Sequence, residues 1–429
     1  MSVIRQEIGA RPRSFWVVTA ATARLIDPDE LAAWFAVPRT AMLGAPVTPE
    51  QVESVRQFLH VERCMAAYDG TGGRPVGSAG SFPAELTVPG GKVSTGAVTA
   101  VGVLPTHRRQ GHLTRLMQAQ LADIVERGEP VAVLVAAEYP IYGRYGYGPA
   151  TEACGIRVDA SVPGMWRDLP TGTTELVDTE AFTKQLVELY DQARHDVPGH
   201  LDYEADRWGF QTGARTWPGR DDDSPKATHV VWRDAAGDVG GAVSYKVKDK
   251  WVDNRPRADL HADILVSTSA EAEREIVRYL TAVDWVATVH LGTRPVDDPV
   301  PLWLHDGRAA PQFDRSDHVW ARVLDVPAAL SARRYAAEGR VVLEVDDPMG
   351  FATGRFALDG GPDGATCVPT PDDPDLVVQV PALGSAYLGG CTWARLAAAG
   401  WVTEARPGAI ERASTMFAVP RAPWCALTF

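Results

Sequence analysis

The chain has 429 residues, of which 45% are hydrophobic and 23% are charged, and its formal net charge at pH 7 is −13. This composition is typical of a folded globular protein and excludes bulk disorder, and the length predicts two to four domains of roughly 100–200 residues each. The negative charge argues against a general nucleic-acid binder or a protein that binds anionic membranes; it would either attract cationic ligands such as polyamines or aminosugars or serve only to keep the protein soluble.

Cysteine usage and hydropathy predict the compartment. The five cysteines are odd in number and form no C-x-x-C pair, which fits a reducing environment. Residues 1–18 contain arginines but no apolar core of signal-peptide length. No run of about 18 apolar residues occurs anywhere, so no membrane span is predicted. We therefore predict a cytoplasmic protein.

The first region, residues 1–162, is predicted to begin with helices and to continue with strands. The predicted helices are Asp29–Phe35 and Pro49–Leu59, and the predicted strands are Arg63–Tyr68, Val76–Leu86 and Val93–Leu104. An amphipathic helix then runs from Gly111 to Glu126. The short apolar run Pro130–Ala137 is predicted to be a buried strand. Strand, helix and strand in this order predict a parallel βαβ crossover.

The second region, residues 163–310, repeats this order of elements. A helix should begin at Asp178, strands are expected at His229–Trp232, Gly241–Val247, Ala258–Val266 and Val286–Leu291, and a second helix at Ala270–Val283.

The third region, residues 311–429, is predicted to be α+β. Its predicted strands are Ala321–Val326, Arg340–Val345, Phe356–Leu358 and Leu376–Val380, and its predicted helices are Ala328–Ala336, Leu383–Leu388 and Thr392–Ala399. The fold class predicted for the whole chain is mixed α/β (α+β).

The segment from Val101 to Leu113, VGVLPTHRRQGHL, has the chemistry of a phosphate-binding turn. A strand ends, two arginines follow, and a glycine opens a helix. The free N–H groups of a helix N-terminus favour an anion, and arginines add charge-assisted hydrogen bonds to a pyrophosphate. The segment is neither a P-loop nor a Rossmann turn, because it lacks both glycine patterns.

This segment resembles the acetyl-CoA motif of the GNAT superfamily of N-acetyltransferases. Within the superfamily the chain resembles the enhanced intracellular survival (Eis) family, known as aminoglycoside acetyltransferases. The resemblance is carried by IYGRYGYGP from Ile141 and by the ending PWCALTF from Pro423, with DVPAAL from Asp325 and GSAYLG from Gly384 in support.

The resemblance implies two GNAT domains in tandem, the second of which lacks the arginine–glycine turn, followed by a sterol-carrier-protein-like domain. It also implies a homohexamer and acetyl-CoA as co-substrate. The backbone of Val101, Gly102 and Val103 would pair with the pantetheine arm, and an N–H of this stretch would stabilise an oxyanion. The pyrophosphate would be held by Arg108, Arg109, Gln110, Gly111, His112, Leu113 and Thr114. Ala137 and Glu138 lie at the end of the next strand, where the family more usually has serine at position 137.

Acetyl transfer to an amine requires a proton donor for the leaving thiolate and a proton acceptor for the amine. Tyr142, Tyr145 and Tyr147 compete for the first role, and the family motif assigns it to Tyr142. The family's base is the C-terminal carboxylate, here that of Phe429, which needs desolvation or a relaying water to act as one. The family often has an acidic residue before the last, where this chain has Thr428.

The expected activity is direct acetylation of a primary amine on an aminoglycoside-like molecule, a polyamine or a lysine side chain. Two alternatives stay open: a protein-lysine acetyltransferase, and a protein that binds a lipid or another apolar ligand in its third region. The histidines have no cysteine partners at zinc spacing, so no metal is predicted. The acidic run Asp221–Asp223 would either line an entrance for cationic substrates or form a solvated loop.

Overall fold

The computed structural model describes residues 22–70, 73–215 and 226–429. The run Asp221–Asp223 therefore lies outside the described residues. The elements of the first part of the chain are β1 (Thr22–Leu25), α1 (Leu31–Ala41), α2 (Pro49–Arg56), β2 (Met65–Tyr68), β3 (Pro75–Val88), β4 (Gly91–Val103), α3 (His112–Glu126), β5 (Val131–Val135), α4 (Tyr139–Tyr142), β6 (Gly148–Pro149) and β7 (Glu152–Asp159).

The middle of the chain forms a second, similar series. Its elements are β8 (Thr173–Val177), α5 (Thr179–Arg194), α6 (Ala205–Thr212), β9 (Thr228–Arg233), β10 (Val239–Lys248), β11 (Trp251–Val252), β12 (Arg255–Pro256), β13 (Ala258–Ser267), α7 (Ala270–Thr281), β14 (Val286–Arg294) and α8 (Val300–Trp303).

The last part of the chain is richer in strands. Its elements are β15 (Gln312–Asp317), β16 (Val319–Val323), α9 (Val326–Ser331), β17 (Gly339–Asp346), β18 (Gly354–Gly361), β19 (Gly364–Pro369), β20 (Leu376–Gln379), α10 (Val380–Tyr387), α11 (Trp393–Ala398), β21 (Val402–Glu404) and α12 (Ala409–Met416).

Three large sheets organise these elements, and β11 and β12 form a separate two-stranded sheet. The first sheet has the strand order β1-β2-β3-β4-β5-β16-β6, the second β15-β7-β14-β13-β10-β9-β8, and the third β19-β18-β17-β20-β21. The first sheet contains the parallel pair β4–β5 and the second the parallel pair β13–β14, with α3 and α7 as the respective connections. The βαβ crossover predicted in the first region is therefore confirmed, and the second region contains one as well.

Two strands lie across the predicted domain boundaries. β7 precedes residue 163 but pairs with β14 and β15 in the second sheet. β16 follows residue 310 but lies between β5 and β6 in the first sheet. The prediction placed β16 with the third region because its distant partner strand leaves no trace in the local sequence.

The helix α3 packs tightly on the first sheet. Its buried residues Leu116, Met117, Leu121 and Ile124 recur at helical spacing, as predicted. Two glycines of the sheet allow the close approach. A Cβ at Gly77 would lie 2.8 Å from Leu116, and one at Gly96 would lie 2.7 Å from Ile124. This packing fixes where the N-terminus of α3 lies relative to the end of β4.

Several predicted helix bounds differ from the structure, and two of them differ most. The first continues to Ala41, with Pro38 inside it, although the prediction ended it at Phe35. The predicted helix Ala328–Ala336 is wrong beyond Ser331, where α9 ends. None of the helices in the described residues is both long and apolar enough to cross a bilayer.

Candidate active site

The strands β4 and β5 pair over a short stretch only and then separate. Thr95, Gly96 and Ala97 pair with Val131, Ala132 and Val133, and in the described structure the two strands form no pairs beyond Ala97. On its other side β4 continues to pair with β3 as far as Val103. On the side that faces β5, the backbone of the last residues of β4 is therefore available to a ligand. Such a ligand would lie along the strand as an added strand does.

An irregularity in β4 accompanies this separation. The register between β3 and β4 shifts between Ser78 and Gly80. Ala100 has a φ of 53°, and its carbonyl accepts a hydrogen bond of 2.8 Å from the Ser78 hydroxyl. Such a bulge bends the strand and turns its backbone groups. Here it lies next to Val101, Gly102 and Val103.

The arginine–glycine turn connects β4 to α3. Arg109 and Gly111 both have positive φ, at 63° and 82°, and Gly111 caps α3. Arg115 closes the turn by donating to the Gln110 carbonyl at 3.2 Å. A left-handed residue in this position suits glycine, because it has no Cβ.

The two arginines of the turn are available to an anion. Arg108 and Arg109 are exposed, and in the described part of the chain neither forms an ion pair within 4.0 Å. They lie at the N-terminus of a 15-residue helix, whose first N–H groups and dipole favour negative charge. The turn thus has the properties predicted for a pyrophosphate site.

A cleft of about 480 Å³ lies between the separated strands and this turn. It brings together twelve of the predicted site residues: Val101, Gly102, Val103, Arg108, Arg109, Gly111, His112, Leu113, Thr114, Ala137, Glu138 and Tyr142. Gln110 does not line it, and its side-chain amide instead donates to the Thr106 carbonyl at 3.5 Å. The residues that the sequence analysis did not assign to this site are Ala41, Met42, His107, Ile141, Arg144 and Tyr145.

Only some of these additional residues could have been found from the sequence. Arg144 could, because it lies inside the IYGRYGYGP segment and offers a cation beside Arg108 and Arg109. Ala41 and Met42 carry no such signal, because they reach the cleft only through the packing of the end of α1 on β4. A Cβ at Gly102 would lie 3.0 Å from the Ala41 Cβ.

Tyr142 is the last residue of the short helix α4, which follows β5. Its side chain is 8% exposed, and burial, with a smaller effect of Glu138, raises the pKa of Tyr142 to about 12. The phenol therefore carries its proton at neutral pH. No hydrogen-bond partner of its hydroxyl occurs in the described structure, whereas Tyr145 lies 3.3 Å from the Thr114 hydroxyl.

The C-terminal tail ends on the other face of the first sheet. The Phe429 ring lies edge-on to Phe82, with ring centroids 5.7 Å apart, and Phe82 pairs with Ala97 of β4. Phe82 and Ala97 belong to one buried cluster, whereas Tyr142 belongs to the cluster beneath α3. Phe429 does not line the cleft that contains Tyr142. The two predicted catalytic groups thus approach β4 from opposite faces.

An acidic cavity of about 370 Å³ lies beside Phe82. Its charged lining residues are Glu85, Asp202, Glu204 and Arg207. The Arg207 guanidinium lies 4.0 Å from the centre of the Phe82 ring and 3.2 Å from Glu204. Asp202 has no ion pair among the described residues and accepts a hydrogen bond of 2.6 Å from the Glu85 N–H. Glu85 is also paired with Lys92 at 2.8 Å and Arg194 at 3.2 Å, which leaves Asp202 as the lining carboxylate without an ion pair among the described residues.

Three family models match the chain. Residues 22–150 and 199–323 each match a model of an acetyltransferase (GNAT) domain, and residues 326–426 match a model of a sterol carrier protein domain. The predicted order of two acetyltransferase folds and a sterol-carrier-like unit is therefore confirmed, as is the mixed α/β class.

Several known proteins are similar over nearly the whole chain. An uncharacterized N-acetyltransferase of Streptomyces avermitilis is 39% identical over 411 residues, which cover 94% of this chain and 97% of that protein. The N-acetyltransferase Eis of Mycobacterium tuberculosis is 33% identical over 388 residues, which cover 87% and 90%. The crystal structure of Eis1 from Mycobacterium abscessus superimposes with a TM-score of 0.83 at 35% identity and covers 95% of this chain and all of that one.

Proposed function

Because the chain belongs to the Eis family of GNAT N-acetyltransferases, we propose that it moves an acetyl group from acetyl-CoA directly to a primary amine, in the cleft between β4 and β5. The observation that carries this proposal is the cleft itself. It combines unpaired strand backbone, two exposed arginines at a helix N-terminus, and a buried, protonated tyrosine.

The residues of the cleft fit acetyl-CoA, the acyl donor of GNAT acetyltransferases. Arg108, Arg109 and the first N–H groups of α3 would bind the diphosphate, and the positive φ of Gly111 lets the backbone approach it closely. Backbone groups of Val101 to Val103 would hold the pantetheine amides. Ala137 brings no hydroxyl to this site, so the contact that a serine makes at this position in the family is missing. The donor supplies an activated thioester.

Two proton movements complete the reaction. The Phe429 carboxylate would accept the proton that the attacking amine loses, and Tyr142 would donate one to the departing sulfur. Phe429 is partly buried and its ring packs against Phe82, so the chain end is docked, as a terminal base must be. The acetyl group passes directly from the sulfur to the amine nitrogen, so no cysteine or serine has to carry it.

The acceptor is proposed to be a cationic amine, as an aminoglycoside-like molecule, a polyamine or a lysine side chain would be. The cavity with Glu85, Asp202 and Glu204 lies beside Phe82, which also contacts Phe429. Carboxylates there would attract and orient a molecule with several positive charges. Asp202, which has no ion pair among the described residues, is the carboxylate best placed to bind such an amine.

The apolar-ligand alternative gains no support from the third unit. Its buried cluster contains Arg333, whose guanidinium lies between the rings of Tyr335 and Phe417 at 4.7 and 4.4 Å and donates to the Tyr387 carbonyl. This part of the core therefore does not suit an apolar ligand, and the place to test for one is a cavity of about 260 Å³ lined in part by Cys391, Leu396 and Trp401. The protein-lysine alternative involves the same chemical reaction. Only its substrates distinguish it from the acetylation of small amines.

Assembly, compartment and metal content are proposed on the resemblance and the composition. We propose a homohexamer in the cytoplasm, without metal, membrane or nucleic acid as partners. Native mass spectrometry should give a mass six times that of the 46.3 kDa chain. A monomer mass at micromolar concentration would contradict the hexamer.

The function is tested by incubating the protein with acetyl-CoA and a panel of amines while free thiol is recorded. The panel should contain aminoglycosides, linear polyamines, free lysine and folded lysine-rich proteins. We expect amine-dependent thiol release with polycationic small molecules. Release with folded proteins only would favour the protein-lysine alternative, and no amine-dependent release would contradict the proposal.

A further inference from the structure

The first and second sheets meet along a seam made by two chain crossings. In the first crossing, β6 of the first sheet leads into β7 of the second through Ala150 and Thr151. In the other, β15 of the second sheet leads into β16 of the first through His318. The His318 N–H donates to the Thr151 carbonyl at 3.0 Å, and the Val319 N–H donates to the Thr151 hydroxyl at 2.9 Å. The seam is therefore a rigid, hydrogen-bonded junction.

The C-terminal tail lies along this seam. The Trp424 N–H donates to the Pro198 carbonyl at 3.0 Å, and Trp424, Cys425 and Leu427 are all buried. Gly199 makes room for it, since a Cβ there would lie 2.8 Å from the Trp424 carbonyl and 2.9 Å from the Thr151 side chain. This ordered, buried path is unusual for a chain end, which tends to be mobile unless held.

The tail lies in the part of the second unit that corresponds to the proposed cofactor cleft of the first. Beyond Ala262 and Leu291 the parallel strands β13 and β14 no longer pair, as β4 and β5 separate beyond Ala97. Trp424, Ala426, Leu427 and Thr428 line the cavity at this separation. The helix that follows, α7, is capped by Ser269 and carries the acidic Glu271 and Glu273 in its first turn, where the first unit has an arginine–glycine turn, so this helix end is less suited to a diphosphate.

His318 bonds the tail to the seam. Its Nε2 lies 3.0 Å from the Leu427 carbonyl oxygen, so Nε2–H is the donor. The imidazole is 8% exposed, and burial lowers the pKa of His318, which leaves the ring neutral at pH 7. Leu427 precedes the terminal residue by two, so this bond fixes the backbone from which the carboxylate extends.

We propose that His318 is a positioning residue, which holds the last three residues against the seam and so sets the place of the Phe429 carboxylate. This inference rests on the proposed role of that carboxylate as the base. His318 touches neither substrate nor donor, and it acts through the tail alone.

The first test measures the position of the tail without using activity. Carboxypeptidase A releases a C-terminal aromatic residue only when the chain end leaves its binding site. We expect His318→Leu to release phenylalanine about fivefold faster than the parent protein, which corresponds to one lost hydrogen bond. His318→Gln, whose amide can donate at a similar reach, should restore slow release.

Two further variants show whether faster release comes from the lost hydrogen bond or from a general loss of stability. If His318→Leu does not fold, His318→Asn takes its place in the test. Asn is polar but too short to reach Leu427, so this variant should also release phenylalanine faster than the parent protein. His229→Leu removes another buried imidazole, which stacks on Phe182 at 4.4 Å in the second unit. It should leave phenylalanine release at the parent rate. Unchanged release in both His318→Leu and His318→Asn would overturn the inference.

The second test measures whether the effect of His318 on kcat depends on the Phe429 carboxylate. Deleting Phe429 moves the chain end back by about 3.5 Å and should lower kcat. His318→Leu should lower kcat by roughly 10- to 100-fold in the full chain, with the KM for acetyl-CoA unchanged, because misplacement by about 1 Å has effects of this size. In the chain that ends at Thr428 the same substitution should have no further effect.

The outcomes separate the two claims. A fully active chain ending at Thr428 would contradict the terminal base itself. A chain disabled by the deletion, with His318→Leu lowering kcat equally in both backgrounds, would contradict positioning through the tail. Faster release of phenylalanine together with an unchanged kcat would show that His318 holds the tail but that the reaction does not need it there.

Discussion

Tyr142 differs from its two neighbouring tyrosines in the surroundings of its hydroxyl. Tyr145 also lines the cleft, but it lies within hydrogen-bond distance of Thr114. Tyr147 is fully buried away from the cleft, and burial raises the pKa of Tyr147 far above its usual value. Sequence spacing could not make this distinction, because all three tyrosines alternate with glycines in one short segment. The structure supports the choice that the family motif suggested.

Replacing Tyr142 with Phe should lower kcat by roughly 10²–10⁴-fold, the usual effect of losing a positioned proton donor. The affinity for acetyl-CoA should change little, since the ring and its packing remain. Tyr139→Phe is the matched control, because Tyr139 belongs to the same helix but is 55% exposed. Steady-state kinetics with thiol detection measure both, and an unchanged kcat in Tyr142→Phe would remove this residue from the mechanism.

Arg108 and Arg109 should act on binding and not on the chemical step. Replacing both with Ala should raise the KM for acetyl-CoA by at least 10- to 100-fold, because charge-assisted hydrogen bonds to phosphate are each worth roughly 1.5–3 kcal/mol. The dependence of KM on salt should also weaken. Arg56→Ala, at the exposed end of α2, serves as the control. An unaltered KM in the double variant would contradict a diphosphate site at this turn.

At the scale of elements, the helix α3 and the strand β5 were predictable because their signals are local. The helix has one apolar face over its whole length, and an arginine–glycine turn precedes it. What the sequence could not supply was the separation of β4 from β5 beyond Ala97, which depends on the bulge near Ala100 and on pairing with β3. The cleft exists only through this separation.

The C-terminal tail acts as one element, and residues added after Phe429 should lower the activity. Extending the chain beyond Phe429 by a short polar tag removes the terminal carboxylate from its site. We expect kcat to fall by at least tenfold, since the group would be displaced by more than 1 Å. The melting temperature should stay within a few degrees of the untagged protein.

The same tag at the N-terminus is the control for the extension. It should leave both kcat and the melting temperature unchanged. A fully active protein with the C-terminal tag would count against a terminal base.

At the scale of the whole molecule, the exchange of β7 and β16 between sheets was the least predictable feature. Neither strand carries a signal for its sheet, because partner choice depends on contacts more than 100 residues apart in the chain, such as Trp320 with Leu134. Because β16 lies in the first sheet, it also connects that sheet to the third unit. Arg322 of β16 forms a fully buried ion pair of 2.6 Å with Asp347, which follows β17 of the third sheet. The tail and its seam depend on this arrangement.

Buried histidines should make the whole molecule acid-labile. Burial, with smaller effects of Arg194, Arg294 and Arg421, lowers the pKa of His200 to about 3, against about 6.5 in an unfolded chain. Between these values the unfolded state binds the extra proton, so the free energy of unfolding falls as the pH is lowered. The slope for one such group is about 1.4 kcal/mol per pH unit.

Thermal unfolding at pH 7.5 and pH 5.0 measures this effect. We expect the melting temperature of the parent protein to drop at pH 5.0, and the drop to be smaller in His200→Phe. His195→Phe, at an exposed histidine, should show the parent's drop. Equal melting temperatures of the parent protein at the two pH values would contradict the assignment of neutral buried histidines.

The proposed acetyl transfer requires CoA to lie in the cleft between β4 and β5, with its sulfur between Tyr142 and the chain end. A crystal structure of the protein with CoA would show its position. The diphosphate should lie at Arg108, Arg109 and Gly111, and the thiol within reach of both the Tyr142 hydroxyl and the Phe429 carboxylate. CoA bound elsewhere, or bound in this cleft with Phe429 far from its thiol, would contradict the proposed mechanism.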